Sequence, residues 1–344
     1  MKFDFIIGNP PYQDETLGDN KGFAPPIYNK FLENAYEIAD AVEMIHPARF
    51  LFNAGSTPKE WNRRMLSDEH LKVLYYEQDS SKVFANTDIK GGVAITYHDK
   101  NKDFGAIEIF TAYTELNDIL KKVLHSTDFE KFSDIVVTRT AYRLTNKMHE
   151  DYPKAIEQLS DGHAHDMSTN IFERLPQVFY DEKPQDTFSY IQILGRENGE
   201  RVYKYIREDY VNKVCNLDKY KIFLPKANGI GLLGEVLSAP VIASPKIGAT
   251  ETFLSIGSFD TEREAESALK YISTKFARAL LGTLKTTQDI TPDKWKNVPL
   301  QDFTESSDID WLKSVREIDA QLYEKYGLDE QEIEFIESHV KEME

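Results

Sequence analysis

Apolar positions in the first hundred residues fall into short blocks that switch between two periods. Residues 3–7, Phe-Asp-Phe-Ile-Ile, alternate little, as a strand buried in a parallel sheet would. Gly8-Asn9-Pro10-Pro11-Tyr12 follows directly. Two prolines remove donors and disfavour helix before them, so this run is a loop at the strand's end. After a polar stretch over 13–21, Tyr28, Phe31, Leu32, Ala35, Ile38 and Ala39 recur at three and four, which predicts an amphipathic helix over 27–39. Strands are predicted at 41–45, 71–77, 92–97 and 107–111, with a helix at 59–66. The alternation of strand and helix is the order of a doubly wound α/β sheet.

From about residue 113 the pattern changes. A connecting helix over 116–124 leads into short, aromatic-rich strands at 188–195, 220–225, 241–247 and 253–259, separated by Gly, Asn and Pro turns. A long helix is predicted at 262–284 and terminal helices at 311–326 and 330–341. The fold class expected is therefore α/β: a partial Rossmann-like sheet over 1–125, then an α+β region over 126–344.

Composition limits the classes available. A hydrophobic fraction of 41% with 20 Phe and 18 Tyr is that of a globular chain, and the lone Cys215 excludes an internal disulfide or a cysteine-based zinc cluster. No stretch is long and apolar enough to span a membrane, and a cytoplasmic location is expected. The net charge of −17 is unfavourable for a nucleic-acid binder. It is unevenly spread, however. Residues 301–344 carry 14 acidic against 4 basic side chains, which alone is −10. Residues 196–226 carry 8 basic against 5 acidic, and 270–300 carry 6 against 2. Local charge decides whether phosphates are neutralised, so two segments remain candidates.

The chemistry sits in Asn9-Pro10-Pro11-Tyr12. An exocyclic adenine nitrogen is a poor nucleophile because its lone pair is delocalised into the ring. Acceptors that hold its hydrogens out of the ring plane redirect that lone pair. Asn9 supplies a side-chain carbonyl and Pro10 a main-chain carbonyl, on a loop that the prolines stiffen. Tyr12 supplies a face on which an extruded base stacks. The competing reading is a stiff turn with Tyr12 merely packed. The position after an apolar strand, where open α/β sheets place their ligands, favours the functional one.

The run Phe3-Asp-Phe-Ile-Ile-Gly-Asn-Pro-Pro-Tyr-Gln13 resembles motif IV of the gamma-class DNA adenine-N6 methyltransferases, especially those of type IIG restriction–modification systems. Tyr28–Ala35, Met44-Ile-His-Pro-Ala-Arg-Phe-Leu51, and Val83-Phe-Ala with Gly91-Gly-Val-Ala-Ile-Thr-Tyr97 resemble the segments that follow it there. A looser likeness to the C-terminal recognition region runs over 289–303. The resemblance implies a site-specific, S-adenosylmethionine-dependent adenine methyltransferase acting on double-stranded DNA. It implies that Asn9, Pro10, Pro11 and Tyr12 hold the adenine and that Tyr97 faces it from the side. Lys285, Thr286 and Gln288 are the candidates for DNA contact in the second region, with the basic stretch 204–226.

In that family the cofactor-binding half precedes motif IV, whereas here motif IV stands at the start. The run Gly229-Ile-Gly-Leu-Leu-Gly234 fits G-x-G-x-x-G, but no acid precedes it and the next strand ends without a ribose-binding carboxylate. It is read as a turn. The expectation is a second chain carrying the S-adenosylmethionine site, with one sheet edge and one apolar face of this chain left for it. A non-catalytic DNA-recognition subunit or a degenerate methylase fragment is the alternative. His163-Ala-His165-Asp166 is read as a solvated loop, and no metal site is predicted.

Overall fold

The computed structural model describes residues 2–14, 24–285 and 287–343. The chain forms two compact units that divide between Asn117 and Asp118. The division falls inside a helix, α3 (Thr114–Leu124), which the described chain uses as its connection. Among the described residues no helix is long and apolar enough to cross a membrane.

The first unit is a four-stranded sheet with helices. It comprises β1 (Phe3–Gly8), α1 (Tyr28–Ile38), β2 (Ala39–Pro47), α2 (Lys59–Leu66), β3 (Leu71–Glu77) and β4 (Val93–Asp99), with strand order β1-β2-β4-β3. β1 and β2 are parallel, while β4 runs antiparallel to both β2 and β3. The all-parallel order expected of a doubly wound sheet therefore holds for one pair only. Residues 107–111 form no strand.

Register explains which side chains this unit buries. Side chains alternate along a strand, so Val42, Met44 and His46 of β2 share a face with Ala94, Thr96 and His98 of β4. On that face Tyr28, Leu32 and Ala35 of α1 and Trp61 and Met65 of α2 build the core. The opposite face carries the row Ile7, Glu43, Tyr97 and Lys72. β1 lies at the sheet's edge, and its Phe3, Phe5 and Ile7 are 43%, 48% and 72% exposed.

The second unit is built on two small sheets. One, ordered β10-β6-β7, contains β6 (Tyr190–Glu197), β7 (Glu200–Arg207) and β10 (Ile247–Ala249). The other, ordered β5-β11-β8-β9, contains β5 (Val136–Val137), β8 (Tyr220–Pro225), β9 (Val241–Ala243) and β11 (Phe253–Phe259). Short helices α4 (Asn146–Asp151) and α5 (Ile171–Arg174) lie between β5 and β6. Helices α6 (Glu262–Ser273), α7 (Lys275–Gly282), α8 (Val315–Lys325) and α9 (Glu330–His339) follow.

Two expectations change here for definite reasons. The strand predicted over 241–247 is two strands in different sheets, β9 and β10, because Pro245 interrupts the ladder and Lys246 turns with φ of 68°. The helix predicted over 262–284 breaks at Thr274. That residue's hydroxyl accepts from Ala277 N, and the buried Asp319 carboxylate accepts from Lys275 N and Phe276 N. A helix start satisfied in this way is a new helix, not a continuation.

Candidate active site

The loop Asn9–Tyr12 leaves the carboxyl end of β1 and is tied to the start of α1. Ile27 N donates to Tyr12 O at 3.2 Å, and Asp14 N donates to Pro25 O at 2.9 Å. Pro10 is buried, while Asn9 and Pro11 are exposed. Among the described residues no hydrogen-bond partner engages the Asn9 amide, so its carbonyl is free to accept from a ligand. Tyr12 is half-buried, its ring edge-on to Phe84 with centroids 6.4 Å apart. Its hydroxyl is buried without a partner among the described residues, and burial raises its pKa.

Beside Tyr12 opens a cleft of about 680 Å³, whose walls include Gln13, Pro26, Tyr28, Pro47, Arg49 and Lys90. That volume lies in the range of pockets for small ligands. Its floor is rigid. Tyr28 stacks on His46 with centroids 5.7 Å apart and planes 6° from parallel, and Trp61 meets Tyr28 edge-on. His46 is fully buried: its Nδ1 donates to Pro47 O at 3.1 Å, and its Nε2 accepts from the Thr96 hydroxyl at 2.7 Å. Burial brings its pKa down to about 4, so the imidazole stays neutral under the cleft. The exposed Arg49 is held by its stem. A Cβ on Gly91, which has a φ of +87°, would come within 2.6 Å of Arg49 Cγ. Among the described residues neither Arg49 nor Lys90 forms an ion pair, and both offer charge at a cleft wall that Asp88 shares.

Not every candidate arrives here. Tyr97 projects from the opposite face of the sheet. Its hydroxyl donates to Asp99 Oδ2 at 2.8 Å, and its ring lies near Phe5 and Phe104, with the Lys72 ammonium 5.5 Å from its centroid. The role of facing the adenine from the side is thus withdrawn from Tyr97, because the two-residue repeat of a strand turns it away. Phe84 is the aromatic that does meet Tyr12. It lies in the run Val83-Phe84-Ala85, and nothing in its local spacing marks it out.

In the second unit Lys285 is only 3% exposed in its side chain and is ion-paired with Glu235. Its ammonium is spent internally, which corrects the expectation that it contacts phosphate. Gln288 is exposed, and its main-chain carbonyl accepts from Asn228 N at 2.7 Å. Thr286 lies outside the described residues. Among the described residues no group of acidic, His or Cys side chains has metal-binding spacing. His163 instead pairs with Asp166 at 2.7 Å, and His165 donates to Leu144 O.

The G-x-G-x-x-G run does not fit a nucleotide cofactor. The Glu235 carboxylate accepts from the amides of Ile230 and Gly231 and sits against Gly229, where a Cβ would meet its Oε2 at 2.2 Å. A diphosphate needs that amide cradle vacant. Burial alone would raise the Glu235 pKa. The Lys285 hydrogen bond and the loop amides outweigh burial and lower it to about 2. The chain's own anion fills the loop.

Residues 1–84, with β1, the Asn9–Tyr12 loop, α1, β2, α2 and β3, match the Eco57I restriction-modification methylase family. That match lies within the first unit and covers 84 of the chain's 344 residues. A curated relative, described as an uncharacterized adenine-specific methylase of Mycoplasma pneumoniae, is 32% identical over 95 residues. That alignment covers 27% of this chain, and the chain spans 22% of the relative's length. Among solved structures, the type IIG restriction endonuclease BpuSI aligns at 10% identity and a TM-score of 0.28, over 92% of this chain and 48% of its own. The type IIL restriction-modification enzyme MmeI, solved in complex with DNA, aligns at 8% and 0.34, over 97% and 56%. Scores this low do not establish a shared fold.

Proposed function

We propose that this chain is the catalytic and target-recognition portion of a site-specific DNA adenine-N6 methyltransferase of a restriction–modification system. The first unit carries the chemistry and the second reads the DNA. The observation that carries this reading is the unengaged Asn9 amide at the tip of an edge strand, next to Tyr12 and its cleft, inside a methylase-family segment. The four-stranded sheet, with its ligand loop at the carboxyl end of a parallel pair, supports a partial Rossmann-like origin.

In this reading the target adenine leaves the duplex and stacks on Tyr12. The Asn9 side-chain carbonyl and the Pro10 main-chain carbonyl accept its two amino hydrogens. The nitrogen lone pair would then be held out of conjugation and aimed at the donor's methyl group. As the N–C bond formed, the donor's S–C bond would break, its sulfur leaving as a neutral thioether, and one amino proton would pass to solvent. Arg49 and Lys90 at the cleft wall suit the phosphates flanking the flipped nucleotide. The donor implied by the family is S-adenosylmethionine. Because Glu235 closes the loop 229–234, a second chain is the proposed holder of that donor. The exposed Phe3, Phe5 and Ile7 of the edge strand are a fitting place for it to pair.

The closed loop also favours a second reading, a DNA-recognition subunit without catalysis. One experiment separates the two. The chain is incubated with duplex DNA and labelled S-adenosylmethionine, alone and with the products of neighbouring genes, and N6-methyladenine is measured. Methylation that needs both chains supports the proposal. DNA binding without methylation under every combination leaves the recognition subunit.

A further inference from the structure

Arginines do not normally face each other across a hairpin, because like charges directly opposite are destabilising. In the second unit Arg196 of β6 and Arg201 of β7 are cross-strand partners. The next pair toward the turn, Glu197 and Glu200, projects to the other face, where Lys204 engages Glu197 at 2.8 Å. Those acids therefore do not neutralise the arginines. Among the described residues neither guanidinium meets a carboxylate; both reach main-chain carbonyls, and Arg201 also lies over the Phe253 ring, 5.4 Å from its centroid. Arg196 reaches Gly199 O at 3.5 Å, and Arg201 reaches Ala239 O at 2.6 Å and Ser238 O at 3.4 Å. Partial burial and the neighbouring Arg196 together lower the Arg201 pKa. Two fixed positive charges thus stand side by side without a counterion.

The carbonyls that Arg201 grips belong to the segment that carries the glycine loop. Asn228 cross-links that segment's two ends, donating to Val236 O at 2.8 Å and accepting from Ser238 N at 2.5 Å. At its tip Ile230 is 75% and Leu232 60% exposed, although the Glu235 carboxylate holds their loop firmly from beneath. Exposed aliphatics on a mobile tail would need no explanation. Two on a loop braced by a buried ion pair are a presented surface.

We propose that the Arg196–Arg201 pair and the loop tip bearing Ile230 and Leu232 form one double-stranded DNA contact of the second unit. The arginines meet backbone phosphates, and the aliphatic pair meets sugars and base edges in a groove. The inference rests on the reading of the second unit as the DNA-reading one. Arginine forks suit phosphate oxygens, and two adjacent phosphates remove the repulsion between the guanidiniums. Aliphatic side chains in a groove meet thymine methyls or wedge between base steps.

The test measures binding of the full chain to a labelled mixed-sequence duplex by fluorescence anisotropy over a salt series. Replacing both arginines, Arg196→Gln with Arg201→Gln, is expected to weaken binding about tenfold and to flatten the salt slope by about two. Replacing the tip, Ile230→Ser with Leu232→Ser, is expected to weaken binding with the slope unchanged. Arg196→Gln alone should leave the melting temperature unchanged or raise it, since it removes a repulsion. Wild-type binding that neither pair of substitutions alters overturns this surface while the DNA reading stands. A fall in melting temperature in step with lost binding makes the arginines structural and also overturns it. Absence of any duplex binding by the wild type overturns the function and the surface together.

Discussion

Two loops of this chain carry runs associated with ligand binding, and the structure treats them oppositely. Asn9–Tyr12 in the first unit ends at an exposed amide with no partner among the described residues, beside a cleft. Gly229–Gly234 in the second unit points its amides at Glu235, whose carboxylate is held in turn by the buried Lys285. Both loops have the backbone geometry for recognition. They differ in whether the polar groups are already satisfied. A group paired inside the protein must break that pairing before it meets a ligand, while an unpaired exposed group need not. The motif that is left open is the proposed site, and the motif that is filled serves as scaffold.

The sharpest way to break this contrast is to empty the filled loop. Glu235→Ala leaves the Lys285 ammonium buried without its partner, so unfolding free energy should fall by about 3–5 kcal/mol, measured by urea denaturation. The same ion pair makes an acid-sensitive contribution. The Glu235 carboxyl is lowered from 4.5 to about 2 in the folded chain, so its contribution is complete above the unfolded value and is lost as pH falls through that range. The alanine variant should lack this part of the acid dependence. A wild-type stability gain from Glu235→Ala would mean that the loop is strained shut.

Next in size is the open loop. In the assembled enzyme Asn9→Ala should lower methylation turnover by about a hundredfold, with duplex affinity little changed, because its carbonyl acts chiefly in the transition state. Normal turnover in that variant would remove Asn9 from the chemistry.

Tyr12 should give a smaller effect that depends on the ring. Tyr12→Ala is expected to cost about tenfold in activity, and Tyr12→Phe nearly nothing, since the hydroxyl has no partner among the described residues. A 2-aminopurine at the target position would report the stacking separately. Equal activity of all three proteins would return Tyr12 to mere packing.

The smallest signal expected is an absence of heat. Calorimetry of the isolated chain with S-adenosylmethionine should register no tight binding, because the amide cradle is occupied. Tight one-to-one binding that a bulky residue at Gly231 abolishes would reverse the reading of both loops.

The sequence by itself determined whatever rests on neighbours a few residues apart. The strand before Asn-Pro-Pro-Tyr, the apolar stripe of α1 and the helix over 59–66 were legible in the sequence, as was the terminal helix, expected over 330–341 and ending at His339. So was the resemblance of the first hundred residues to a methylase, since its motifs are local runs. Tertiary structure alone decided matters of pairing across distance. Asp319 caps residues more than forty positions away and so breaks a helix whose apolar period runs on unbroken. Sheet register placed Tyr97 on the face away from the cleft, although it stands only a few residues from others that line the core. Lys285 and Glu235 lie fifty positions apart, and in the sequence each is an ordinary surface charge. Only folding reveals that they meet in a buried ion pair, because burial and partner choice depend on which distant segments pack together. Side-chain period and turn chemistry are written locally, whereas the satisfaction of a polar group is a property of the packed chain.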